Sequence, residues 1–243
     1  MNRLCCGVVV LLGGLLLAPW GAAQADPEPL SILVMLKKKS HPFVKHLDDN
    51  FHVKLHFAQP EMGKGIPGVE AVEKCQVILL AQRREETTPE QTALLKKALL
   101  KDRKAIVGIR QASHAFNQWP EIDREVFGAT YKGHFFEGKD KQTVQVEPKG
   151  KDHPLLAGFK PFMCGGYPYT YTNVSPDVDV LMTGGLPGKM QPIVWTRVTK
   201  EGQRVFYTRY DEEDLVKSED CRQVLARALF WAAQRDIEKA RKR

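Results

Sequence analysis

The stretch Ala105-Ile106-Val107-Gly108-Ile109-Arg110-Gln111-Ala112-Ser113-His114 decides the fold. An apolar run this short, rich in β-branched residues and free of polar interruption, reads as a strand buried on both faces. At Arg110 it turns abruptly polar. In an open α/β sheet, ligands collect just beyond the carboxyl ends of the strands. The polar groups from Arg110 to His114 are therefore the first place to look for chemistry.

Similar strands precede it. Leu30 to Leu36 and Val77 to Ala81 are apolar runs, and Phe51 to Phe57 alternates with period two. A helix is announced by Thr88-Pro89-Glu90-Gln91, where Thr88 caps, Pro89 suits the first turn and Gln91 completes a capping box. Leu94, Leu95, Ala98 and Leu99 form its apolar stripe. Strand and helix thus alternate, which indicates an α/β sandwich with a mostly parallel sheet. Further along, Trp119 to Phe127 reads as a short helix ended by Gly128, and Thr143 to Val146 as a strand of an added hairpin. Val178 to Met182, Ile193 to Val198 and Arg204 to Thr208 read as strands. Ser218 caps a last helix whose buried face is Val224, Leu225, Ala228, Leu229 and Ala232.

The first residues do not belong to this pattern. Arg3, the apolar run Val8 to Leu17 and Ala23-Gln24-Ala25 form a secretory signal peptide, too short for a membrane span. The expected organisation is residues 1–25 as signal and 26–243 as one domain, secreted or periplasmic, with no stable membrane insertion. The chain carries 36 Lys and Arg against 29 Asp and Glu, a net charge of +7. Several of the bases crowd the end, at Arg235, Lys239, Arg241, Lys242 and Arg243, without aromatic interleaving. They read as a solvated helix end, not as a nucleic-acid surface. Cys75, Cys164 and Cys221 remain after cleavage, an odd number with no CxxC spacing, so this is no disulfide scaffold. Cys75 and Cys221 read as small core residues.

Beyond Arg110 and His114, polar groups recur at Tyr131 and His134, and at Asp152-His153-Pro154. Later strand ends add Trp195, Arg197 and Tyr207, followed by Asp211. Histidine moves protons near neutral pH, so His114 and His134 are the candidate catalytic groups. Arg110, Tyr131, His153 and Trp195 are the candidate substrate contacts. For Trp195 a sugar-stacking wall and a core residue are equally open, and His153 before Pro154 also suits a turn former. His52 and His56 sit ~13 Å apart if their segment is a strand, at roughly 3.3 Å per residue, so they cannot share an ion. No His/Asp/Glu cluster of recognised spacing appears, so neither a metal nor another cofactor is expected.

Several segments resemble the ThuA-like (trehalose-utilisation) family. These are Ile106-Val-Gly-Ile-Arg-Gln-Ala-Ser-His114 with Trp119, Phe127-Gly-Ala-Thr-Tyr-Lys-Gly-His134, Asp152-His-Pro-Leu-Leu-Ala-Gly-Phe159, and Pro192-Ile-Val-Trp195 with Arg204-Val-Phe-Tyr-Thr208. The resemblance implies a flavodoxin-like three-layer sandwich of the class I glutamine amidotransferase-like kind, and a small sugar or oxidised (keto) sugar as ligand. Amidotransferases of that kind carry a nucleophilic Cys in a Gly-x-Cys-x-Gly turn after a strand. Here Arg110 follows Gly108-Ile109 and no thiol is near, so amidotransferase activity is not expected. Ser113 lacks a Gly-x-Ser-x-Gly setting as well. Many relatives carry Gly-His after the "FYT" strand, where this chain has Arg209-Tyr210-Asp211. That loss leaves a non-catalytic binding or accessory module as the alternative to an enzyme.

Overall fold

The computed structural model describes residues 28–134, 142–159, 163–164, 169–186, 188–210 and 218–242. The expected signal segment, residues 1–25, lies outside them, as does Asp211.

Strand β1 (Leu30–Met35) is apolar at almost every position because helices cover both sides of it. It pairs in parallel with β2 (Val53–Phe57) and with β3 (Val77–Leu80). β4 (Ala105–Ile109) continues in parallel beside β3. β11 (Arg204–Thr208) lies parallel to β4 on the far side. Counting β11 as the fifth strand of this half, the order is 2-1-3-4-5, the flavodoxin-like arrangement. β10 (Lys189–Val198), β9 (Val178–Leu186), β6 (Gln142–Val146) and β7 (Met163–Cys164) extend the sheet antiparallel beyond β11. Thus β6, expected in an added hairpin, is a strand of the main sheet. A separate pair, β5 (Thr130–His134) and β8 (Tyr169–Thr172), stands apart from it.

Two hydrophobic layers complete the sandwich. On one face Ile32, Val34, Leu79 and Val107 pack against α1 (Pro42–Asn50) and against the long closing helix, α4 (Glu219–Ala232). One turn of helix, α3 (Pro148–Lys151), follows β6. The other face is Leu33, Met35, Ile78 and Ile106, covered by α2 (Pro89–Lys96), its wider continuation Lys97–Lys101 and the 3-10 turn Val69–Glu73. The capping box of α2 forms as expected, and Ser218 caps α4. The helix expected over 119–127 shrinks to one π turn, Asp123–Phe127, with Gly128 left-handed at its end. Pro120 and the buried Trp119, whose indole donates to Glu125 at 2.8 Å, shape the approach to it as bends instead. Cys75 and Cys221 are buried thiols. Among the described residues no helix is long and apolar enough to cross a membrane.

Candidate functional site

Parallel strands β3 and β4 end side by side, and each releases a polar loop at its carboxyl end. The second loop begins with a conformational penalty. Arg110 has φ +40°, a left-handed value that L-residues with side chains avoid. The sharp turn it makes carries the chain straight from β4 into a 3-10 turn, Arg110–His114. Strained strand-to-helix turns of this kind are where nucleophile elbows place their reacting atom. Here a guanidinium stands there.

The loop after β3 is strained in the same way, with Arg84 at φ +49°. Its backbone is stitched to the second loop: the Arg84 amide donates to the His114 carbonyl at 2.8 Å, and the Glu85 amide to that of Ala115 at 2.7 Å. β5 and β8 close the third side. They bring the Tyr131 ring onto the His114 ring, stacked at 4.8 Å and 18°, and the Tyr169 ring to 4.7 Å from Tyr131. The Arg110 guanidinium lies 5.9 Å from the centre of the Tyr169 ring. Between these groups is a cavity of about 320 Å³, lined by Arg83, Arg84, Arg110, Gln111, His114, Tyr131 and Tyr169. That is the lower end of the range for ligand pockets.

Behind the cavity wall lies a buried hydroxyl chain. Tyr171 and Tyr207 share a hydrogen bond of 2.7 Å between their phenols, and Tyr207 donates to the Arg110 carbonyl. Ser113 Oγ sits 3.4 Å from the Tyr207 phenol and 3.1 Å from His114 Nδ1. The contact with Ser113 fixes which way the imidazole is turned. The serine hydroxyl can turn either way. It donates to Nδ1 of a neutral ring, or accepts from Nδ1 and donates to the Arg110 carbonyl 3.3 Å away. Ser113 itself is buried. Its hydroxyl orients the imidazole, and a substrate carbon has no open path to it. Burial pushes the Tyr207 and Tyr171 phenols well above their ordinary range, so both stay protonated donors. Burial also raises the Tyr131 phenol, against the pull of the Arg84, Arg83 and Arg110 cations.

Of the residues proposed from sequence, Arg110, His114 and Tyr131 meet in this pocket. His134 closes β5 opposite Tyr169, so its backbone is at the same end of the pair; its side chain lies outside the described part of the structure. Two others are elsewhere. Trp195 is buried, its indole donating to the Phe127 carbonyl at 2.9 Å and stacked on Tyr207 at 4.3 Å. It belongs to the core beneath the site and is no ligand wall. His153 is on the opposite face of the sheet. Its Nδ1 accepts from the Leu155 amide at 3.3 Å, and its ring meets Trp231 of α4 edge-on. It shapes a turn. Arg197 also has a structural post, holding Asp177 and the Glu125 and Val126 carbonyls. Among the described residues no group of three or more His, Cys, Asp or Glu side chains could hold a metal.

Sequence reasoning overlooked Arg83, Arg84 and Tyr169; Gln111 lies in the polar stretch that it singles out, though not as a named contact. For the arginines a signal existed, because a polar run follows an apolar strand there just as it does at Arg110. Tyr169 gave none, since an aromatic in an alternating Tyr-Thr segment reads as ordinary strand.

Comparison with known proteins agrees with the fold. Among solved structures, a ThuA-like protein from Bacteroides uniformis superposes with a TM-score of 0.61 at 14% identity, covering 91% of this chain and 98% of that one. The mmIFT52 N-terminal domain gives 0.56 at 13%, over 85% and 99%. A cold-adapted β-galactosidase from Rahnella sp. R3 gives 0.56 at 10%, over 86% of this chain and 32% of that enzyme. At such identities these are likenesses of fold alone. No curated protein matches the sequence. The family described as trehalose utilisation, ThuA, matches residues 68–232, a span that takes in both strained loops and all the motifs from Ile106 to Thr208. The chain therefore belongs to the ThuA family.

Proposed function

We propose that this protein is an exported ThuA-family member that binds a small sugar or oxidised (keto) sugar in the pocket at the ends of β3 and β4. One observation carries the reading: Arg84 and Arg110, the left-handed residues just past the carboxyl ends of β3 and β4, converge with His114, Tyr131 and Tyr169 on one cavity. Arginine forks, an amide and an imidazole suit a ligand that is mostly hydroxyl and carbonyl, and tyrosine edges suit its C–H faces. The family's description as trehalose utilisation points the same way. Amidotransferase chemistry is not part of the proposal. The strained turn holds Arg110 in place of a thiol, and Cys75 and Cys221 are buried.

Calorimetric titration of the purified protein with neutral, keto and acidic sugars tests the reading. We expect saturable binding that His114→Ala and Tyr131→Phe weaken at temperatures where thermal melts show each variant still folded. No binding across the panel would refute it. N-terminal sequencing of exported material tests the signal peptide, with a start near Asp26 expected. A second reading, proton transfer on the bound sugar, is favoured by the Ser113–His114 hydrogen bond. It requires that NMR of a bound sugar show turnover that His114→Gln abolishes.

A further inference from the structure

Among the described residues that line the pocket, the charges are of one sign. Arg83 and Arg84 come from the loop after β3 and Arg110 from the loop after β4, and no carboxylate is among the described lining residues. Among the described residues neither Arg83 nor Arg84 has an acidic side chain within ion-pair distance, and both are exposed. The nearest acid in sequence after Glu85 is Glu86, and it is occupied by the side-chain amides of Asn117 and Gln118. We propose that the pocket selects a sugar bearing an anionic oxyacid group, a carboxylate or a phosphate ester, over the neutral sugar of the same shape; this rests on the sugar-binding reading above.

Scattered surface arginines are common on a basic protein and would prove nothing. These differ in three ways. Their loops are fixed to each other by the two backbone hydrogen bonds from Arg84 and Glu85, so the backbone positions from which the side chains leave are held together. All three bear on a single group, the Tyr131 phenol, which each of them makes easier to ionise. And Arg84 and Arg110 occupy left-handed backbone positions that glycine would fill without strain, so a cation is kept at the pocket against local preference. Converging cations in a concave, partly desolvated site raise the local concentration of anions. The guanidinium fork matches a carboxylate or a phosphate through paired hydrogen bonds, which is why both remain within the class.

The test uses matched sets: a hexose, its uronic acid and its phosphate ester, in gluco, galacto and fructo forms, with inorganic phosphate as a fourth probe. We expect at least one anionic member of a set to bind about tenfold or more tightly than its neutral partner, as one charged hydrogen bond would give. The advantage should shrink with added salt and fall severalfold in Arg84→Gly, a variant that relieves the left-handed strain and so should not unfold. Arg83→Gln should reduce it in part. Neutral sugars binding as tightly as their acids would overturn the selectivity and leave the sugar reading standing. An anionic advantage unchanged in both variants would overturn the assignment to these arginines. Failure of every sugar to bind, whether or not phosphate does, would remove the sugar reading and this selectivity with it.

Discussion

Trp195 shows how one side chain can be legible in type and not in place. An indole stacks on sugars and fills cores by the same apolar face, and nothing in Pro192-Ile-Val-Trp195 separates the two. Position in the sheet does. Trp195 faces Tyr207 of β11 across the antiparallel ladder, under the hydroxyl chain that reaches Ser113. Trp195→Phe should therefore destabilise the fold by about 1–3 kcal/mol, since the buried Phe127 carbonyl loses its donor. Sugar affinity should be unaffected at temperatures where the variant is folded. Urea unfolding and calorimetry separate the two, and a loss of affinity at unchanged stability would put Trp195 back in the site. Arg110, His114 and Tyr131 were readable because a polar run follows a buried strand or closes a recognisable motif. The same logic applies to Arg83 and Arg84, but the apolar run from Val77 looked like plain scaffold. The strain at Arg84 and Arg110 is invisible in the letters, because positive φ at a non-glycine residue leaves no compositional trace.

At the scale of elements, the strongest local signals predicted best. The Thr88-Pro89-Glu90-Gln91 box announced α2, and the structure adds a task the sequence does not show. Gln91 Oε1 accepts from the Thr88 amide at 3.2 Å and from the Ile66 amide at 2.9 Å, while Nε2 donates to the Lys64 carbonyl at 3.2 Å. One side chain thus closes the helix start and pins the preceding loop. Gln91→Ala should cost more than Thr88→Ala, about 2–3 kcal/mol against about 1 kcal/mol, because it strands two donors where the cap variant strands one. Chemical denaturation of the pair decides it, and equal losses would mean that the Ile66 and Lys64 contacts contribute nothing. The weaker elements, β5 and β8, escaped the reading. They are short, carry no apolar run, and gain their stability from ring contacts to each other and to His114, which are tertiary and have no period. It is this pair that walls the pocket. The scaffold could be read from its patterning, and the cover of the site could not.

For the molecule as a whole, the two faces of the sheet differ in how they should respond to acid. The face opposite the pocket carries two half-buried histidines. His46 of α1 lies between Phe43 and Phe51, and His153 lies against Trp231. Burial holds both imidazoles below their ordinary value of 6.5; Arg222 and Arg241 add to this at His46, with Glu219 and Asp49 opposing, and Asp179 opposes it at His153. The sign follows from linkage. A base whose folded pKa is depressed binds its proton more readily in the unfolded chain, so its contribution is whole above 6.5 and is lost as pH falls from there through the folded pKa. Asp123, on the pocket side, works in reverse. Burial raises its carboxyl despite the amides of Tyr131 and Arg124 that donate to it, so the native state takes up that proton first and gains stability as pH falls. The thermal midpoint of the wild type should therefore drop between about pH 7 and pH 5, where histidine titrates. A variant combining His46→Gln with His153→Asn removes both imidazoles and keeps an acceptor for the Leu155 amide. Its midpoint should be flatter over that interval. A parallel decline in wild type and variant would show that the acid response arises elsewhere in the fold.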